Sequence, residues 1–162
     1  LWMESLEFAR DRFPELDGIT VRVGAILSRR AIAGCAAVDV PYVRFARRTL
    51  SRFVAAHELT HLLQGVPGIP QTVPRGEKTC DLHVMARAPE LIDSGWFYLK
   101  LPYSILRGDG VDQKRSMVRE AMRVELHRLA GEALERRNNG LRGYIEWFER
   151  ATLSLSPARH QP

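Results

Sequence analysis

Residues 54–65 read Val-Ala-Ala-His-Glu-Leu-Thr-His-Leu-Leu-Gln-Gly, and no other stretch constrains the fold as strongly. The apolar run with Gly65 behind it predicts a helix. On that helix His57 and His61 stand one turn apart on the same face. Two imidazoles so placed can share one Zn²⁺, which takes neutral nitrogen donors at about 2.0–2.1 Å. Glu58 leans to the side where a metal-bound water would lie, and a carboxylate there can take its proton as general base. An amphipathic helix with two satisfied histidines is the plainer reading. It is disfavoured because Val54, Ala55, Leu59, Leu62 and Leu63 make the helix apolar on nearly every side. Two histidines and a carboxylate buried in it need a partner.

The 162 residues suit a single domain, 1–162. Trp2, Leu6, Ala9 and Phe13 follow helical spacing up to Pro14. Three short strands are expected over 21–27, 31–40 and 42–45, with a weak point or bulge at Gly34. Thr49 or Ser51 offers an N-cap for the histidine helix. Residues 66–75 carry Pro67, Gly68, Pro70 and Pro74 and read as a loop. A second helix is expected over 77–87, then a packed loop over 90–110, apolar at 96–101, with one short extended piece. Helical patterns return over 112–137, with Val118, Met122, Leu126, Leu129 and Ala133 on one stripe, and over 141–153, with Tyr144, Trp147 and Phe148. The fold class is therefore α+β, with a core over about 15–110, a C-terminal helical extension over about 111–155, and a disordered tail.

Glu77 and Asp81 stand four apart, so they share a helical face. Alone they read as acids favoured by a helix start. Sixteen residues behind His61, Glu77 reads as a metal ligand and Asp81 as the acceptor that orients a ligand histidine. At about 100° per residue, Asp81 lies about 40° from Glu77, Cys80 about 60° and His83 about 240°. On spacing alone Glu77 and Asp81 could exchange roles, and Cys80 is near enough to compete.

The pair of motifs, His57-Glu58-x-x-His61 and Glu77-x-x-x-Asp81, resembles the signature of gluzincin metallopeptidases. The short spacing is most similar to the minigluzincins and the ImmA/IrrE-type peptidases. The likeness covers roughly residues 21–89. It implies a compact zincin-like domain: a small twisted sheet over the active-site helix, with a glutamate helix closing the site. It assigns His57, His61 and Glu77 to zinc, Glu58 to the base and Asp81 to histidine orientation, and an edge strand to an extended protein or peptide substrate. SprT-like peptidases are an alternative of similar size and charge, but their third ligand is a histidine. A donor to the developing oxyanion is also needed, and Tyr98, Tyr103, Tyr42 and His83 are the candidates.

The expected activity is zinc-dependent endopeptidase. The competing reading is a metal-binding regulatory or latent, zymogen-like module with little turnover; a zinc-free structural domain ranks below both. Cys35 and Cys80 lack C-x-x-C spacing and are expected as free thiols in a cytoplasmic protein. No apolar run approaches the ~20 residues of a membrane span, and no secretory signal is visible at residues 1–4. The net charge is +5, and between 29 and 52 six arginines (Arg29, Arg30, Arg44, Arg47, Arg48, Arg52) face only Asp39. Solvated surface accounts for such a bias, and a nucleic-acid partner is the sharper alternative.

Overall fold

The computed structural model describes residues 2–26, 34–46, 50–69, 72–94, 97–107 and 117–155. The histidine helix, α2, spans Arg52–Leu63. Its free first-turn N–H groups are met from two sides. The Ser51 hydroxyl accepts from Val54 N at 3.1 Å, and the Asp93 carboxylate accepts from Arg52 N at 2.9 Å and Phe53 N at 3.1 Å. Of the two caps considered, Ser51 is the one seen, and Thr49 lies outside the described residues. Ten of the twelve residues of α2 are buried, so the helix has no solvent face to speak of.

Everything else packs around it. Helix α1 (Trp2–Arg10) covers one side through Leu6 and Ala9, and the chain continues into buried Phe13 and Leu16. Strands β1 (Arg22–Ala25), β2 (Gly34–Ala37) and β3 (Tyr42–Phe45) form a mixed sheet in the order β1-β3-β2. β1 runs parallel to β3 and β2 antiparallel to it, which leaves β2 at an edge beside α2. The pleat sends Val43 and Phe45 into the core and leaves Arg44 and Cys35, paired in register, on the outer face.

Gly65 follows the last turn of α2, but not for its conformational freedom, since its φ is not positive. A Cβ there would lie 2.9 Å from the Val38 side chain, so glycine lets the chain beyond β2 close on the helix end.

Helix α3 (Glu77–Arg87) packs on α2 and on α4 (Glu120–Asn138), and α5 (Tyr144–Thr152) packs on α4. One hydrophobic cluster runs from Leu6 to Phe148 and takes in Leu126, Leu129, Ala130 and Ala133 of α4. Each large apolar side chain of the cluster fully removed from water contributes about 1.5–3 kcal/mol. Tyr144 and Trp147 pack half-buried against the same cluster. No helix among the described residues is long and apolar enough to cross a membrane.

One expectation shifts. The helix expected from 112 starts at Glu120, because Met117–Val118 form a strand, β5, antiparallel to β4 (Leu106–Arg107). Val118 is buried opposite Leu106; its spacing to Met122 fits a helix as well as a strand end, so periodicity could not separate them. The short extended piece expected within 90–110 is this β4; residues 95–96 lie outside the described set, as do 31–33, 112–116 and the tail from 156.

His83 lies on the far side of α3, its Nε2 buried without a partner among the described residues. Burial, then the charges of Arg137 and Arg87, push its pKa down from 6.5 to about 4. The unfolded chain therefore takes up this proton first. The stability that rests on neutral His83 is full above pH 6.5 and is lost as pH falls toward 4. In urea unfolding, the wild type should lose stability relative to His83→Gln across that window, by up to about 1.4 kcal/mol per pH unit. Parallel pH profiles for the two proteins would contradict this placement.

Candidate metal centre

His57 and His61 project from adjacent turns of α2, with ring centroids 4.9 Å apart and their Nε2 atoms 3.2 Å apart. Glu77, the first residue of α3, brings Oε2 to 2.9 Å from His57 Nε2 and 3.2 Å from His61 Nε2. Three donor atoms thus meet in one triangle. Ligands held at about 2.0–2.1 Å around a tetrahedral ion stand about 3.3–3.4 Å apart, so the triangle is close to the size that zinc requires.

Behind His57 stands Asp81, fully buried. Its Oδ1 accepts from His57 Nδ1 at 2.8 Å, and its Oδ2 accepts from the backbone N–H of Tyr98 at 2.5 Å and of Leu99 at 3.1 Å. Burial raises the Asp81 carboxyl above its ordinary range while these donors oppose it. With three N–H groups aimed at it, the carboxylate is the form that fits. Burial alone would lower the pKa of His57, and the bond to Asp81 reverses that and raises it. A proton on Nδ1 leaves the His57 Nε2 lone pair facing Glu77. On the other ring, His61 Nδ1 lies 2.8 Å from Gln64 Oε1 and 3.3 Å from Cys80 Sγ.

Glu58 is 6% exposed and lines a cleft of about 570 Å³ together with Gly34–Asp39, His61, Gln64, Glu77 and Tyr98. Burial pushes its pKa up to about 7, with His57 opposing and Glu77 adding to the rise. The carboxylate rests against β2: a Cβ at Gly34 would come within 2.6 Å of Glu58 Cγ and Oε1. Gly34 is therefore no weak spot in the strand. It is the position where the backbone passes over the acid.

Of the four candidate oxyanion donors, only Tyr98 lines the cleft, its ring stacked on His57 at a centroid distance of 5.5 Å. Burial, then the nearby Glu77, raises the Tyr98 phenol pKa, so it stays a donor. Tyr42 lies over Gly24 and accepts from Arg44 Nε at 2.7 Å. Tyr103 sits exposed in a short turn, and His83 faces Arg87 and Arg137. None of these three lines the cleft. Arg44 stacks on Tyr42 and Arg52 on Phe8, while Arg29, Arg30, Arg47 and Arg48 lie outside the described residues. Among the described residues the cleft is also lined by Arg75 and Gln64, neither of which the sequence singled out. Gln64 follows His61 by three residues on one helix face, and that spacing was the available signal.

His57, His61 and Cys80 also lie close enough together to hold a metal ion, with donor atoms within 4.8 Å of one another. The two triads differ in direction. The Cys80 sulfur contacts His61 at Nδ1, whereas Glu77 meets both rings at Nε2. An ion at the converging Nε2 pair and one at the sulfur would approach His61 from different sides of its ring. Burial and the carboxylates of Glu77, Asp81 and Glu58 raise the Cys80 thiol's pKa. The triangle with Glu77 is the shorter of the two. Cys80 and Cys35 are both free thiols, the first buried and the second exposed.

No protein-family model, no curated protein and no solved structure matches this chain. The resemblance to gluzincin peptidases rests on the two motifs alone.

The two triads make opposite predictions. Glu77→Ala should lose tight Zn²⁺ binding in a chelator competition, Asp81→Asn should weaken it by about 10–100-fold, and Cys80→Ala should leave it near wild type. Loss of affinity in Cys80→Ala with retention in Glu77→Ala would place sulfur among the ligands.

Proposed function

We propose that this chain is a zinc-dependent endopeptidase with Glu58 as general base. The observation that carries the reading is the meeting of His57 Nε2, His61 Nε2 and Glu77 Oε2 within 2.9–3.2 Å of one another. Two imidazole nitrogens and one carboxylate oxygen, with the remaining side open to a cleft, form the donor set of a catalytic rather than a structural zinc site. A zinc ion bound there supplies Lewis acidity toward a peptide carbonyl and an activated water.

The chain's own residues supply the rest. Glu58, held between α2 and Gly34, takes the proton of the attacking water and delivers it to the leaving amine. Tyr98, which lines the cleft, is the residue whose hydroxyl would donate to the carbonyl oxygen as its charge grows. The edge of β2 borders the same cleft over 34–37, so an extended peptide can pair with it as a further strand. That pairing reads backbone rather than side chains, which suits a protein or peptide substrate.

Glu58→Gln tests the reading. The variant should bind zinc as the wild type does and hydrolyse a pool of unstructured peptides about 10²–10⁴-fold more slowly, followed by mass spectrometry. Wild-type turnover in the variant would remove Glu58 from the mechanism. Zinc-loaded wild type that cleaves no peptide would leave a metal-binding module without peptidase activity.

A further inference from the structure

The three converging donors belong to two helices, and one side chain joins those helices behind the site. Gln64 is the C-cap residue of α2 and is 7% exposed. Its Nε2 donates to the Pro74 carbonyl at 2.5 Å, and its Oε1 lies 2.8 Å from His61 Nδ1. Pro74 opens the turn that leads through Gly76, the N-cap of α3, to Glu77.

We infer that Gln64 is a positioning residue that fixes the tautomer of His61 and the approach of Glu77 together. The inference rests on the metal-site reading above and adds to it a residue that touches no metal.

The chemistry leaves one consistent arrangement. A carbonyl oxygen can only accept, so the amide NH₂ of Gln64 must face Pro74 and its oxygen must face His61. An amide oxygen also only accepts, so His61 Nδ1 carries the proton. In the neutral ring the lone pair then sits on Nε2, which faces His57 Nε2 and Glu77. Asp81 imposes the same tautomer on His57 with a carboxylate, and Gln64 imposes it on His61 with a neutral amide. Among the described residues, the other group at His61 Nδ1 is the Cys80 thiol at 3.3 Å. A thiol can donate, and without Gln64 its S–H would turn toward Nδ1 and shift the ring proton to Nε2. Gln64 therefore holds His61 against the one neighbour able to reverse it. The second bond, to Pro74, ties the turn before Glu77 to the same amide.

The test reads the ring nitrogens of His61 by ¹⁵N correlation NMR in metal-free protein, alongside zinc affinity by chelator competition. Wild type should show the proton on Nδ1. Gln64→Leu should shift the proton toward Nε2 and lose about 10–100-fold in zinc affinity. Gln64→Glu, which keeps an acceptor at His61 but loses the donor to Pro74, should retain the wild-type tautomer and lose less zinc affinity than Gln64→Leu. A residue that merely supported the fold would lower the unfolding temperature in both variants without moving the ring proton. The inference is overturned by a wild-type His61 protonated at Nε2, a reading that needs no variant to fold. Unchanged tautomer and zinc affinity in Gln64→Leu would overturn it too. Wild type that binds no zinc, yet carries the proton on Nδ1, would defeat the metal reading while supporting this one.

Discussion

Two ring nitrogens 3.2 Å apart, with a carboxylate oxygen within 3.2 Å of each, need a proton or a cation between them. Buried Asp81 draws the proton of His57 to the opposite side of its ring, so lone pairs accumulate where the groups meet. His57 is buried, His61 partly so and Glu77 half exposed, and a proton or a cation relieves the meeting of acceptors there. The remaining architecture serves to hold these atoms in place. Asp81 itself is fixed by two backbone N–H groups from the segment that carries Tyr98. That segment is anchored in turn by α5, where Glu149 accepts from Lys100 N at 2.8 Å and from Lys78 Nζ at 2.6 Å. Lys78 is the neighbour of Glu77, so the C-terminal helix braces both the third donor and the loop behind His57. The C-terminal segment is thus part of the support of the centre rather than an appended surface.

The burial of α2 has a second consequence. A helix with no solvent face gains little from its own charge pattern and must be held by its ends and by packing. Its N-terminus depends on Asp93, some forty residues later in the chain, and on the Ser51–Ser94 hydroxyl contact at 2.9 Å. Its C-terminus depends on the approach of Val38 to Gly65 and on Gln64 reaching Pro74. These are long-range contacts, so the histidine helix and its surroundings form as one cooperative unit.

This division explains how far the sequence could be read. His57, Glu58 and His61 follow from helical spacing, and so does the shared face of Glu77 and Asp81, because both facts are local. The extents of β3 and α3 were legible for the same reason, their residues sitting between clear breakers. Gln64 was legible in principle, one turn after His61, yet nothing local says what its amide will face. Gly34 read as a weakness because its meaning comes from Glu58, which reaches it across space. The choice of Tyr98 among four candidate donors likewise depends on where the chain returns. The start of α4 was misplaced because Val118 satisfies two periods, and its pairing with Leu106 decides between them.

Whether the ion sits at the Nε2 vertex with Glu77 or is drawn to Cys80 is the central question, and zinc-edge X-ray absorption on the loaded protein answers it without a mutation. The account predicts a shell of nitrogen and oxygen scatterers at about 2.0–2.1 Å, with imidazole outer-shell features from two histidines. A sulfur scatterer at about 2.3 Å would contradict it.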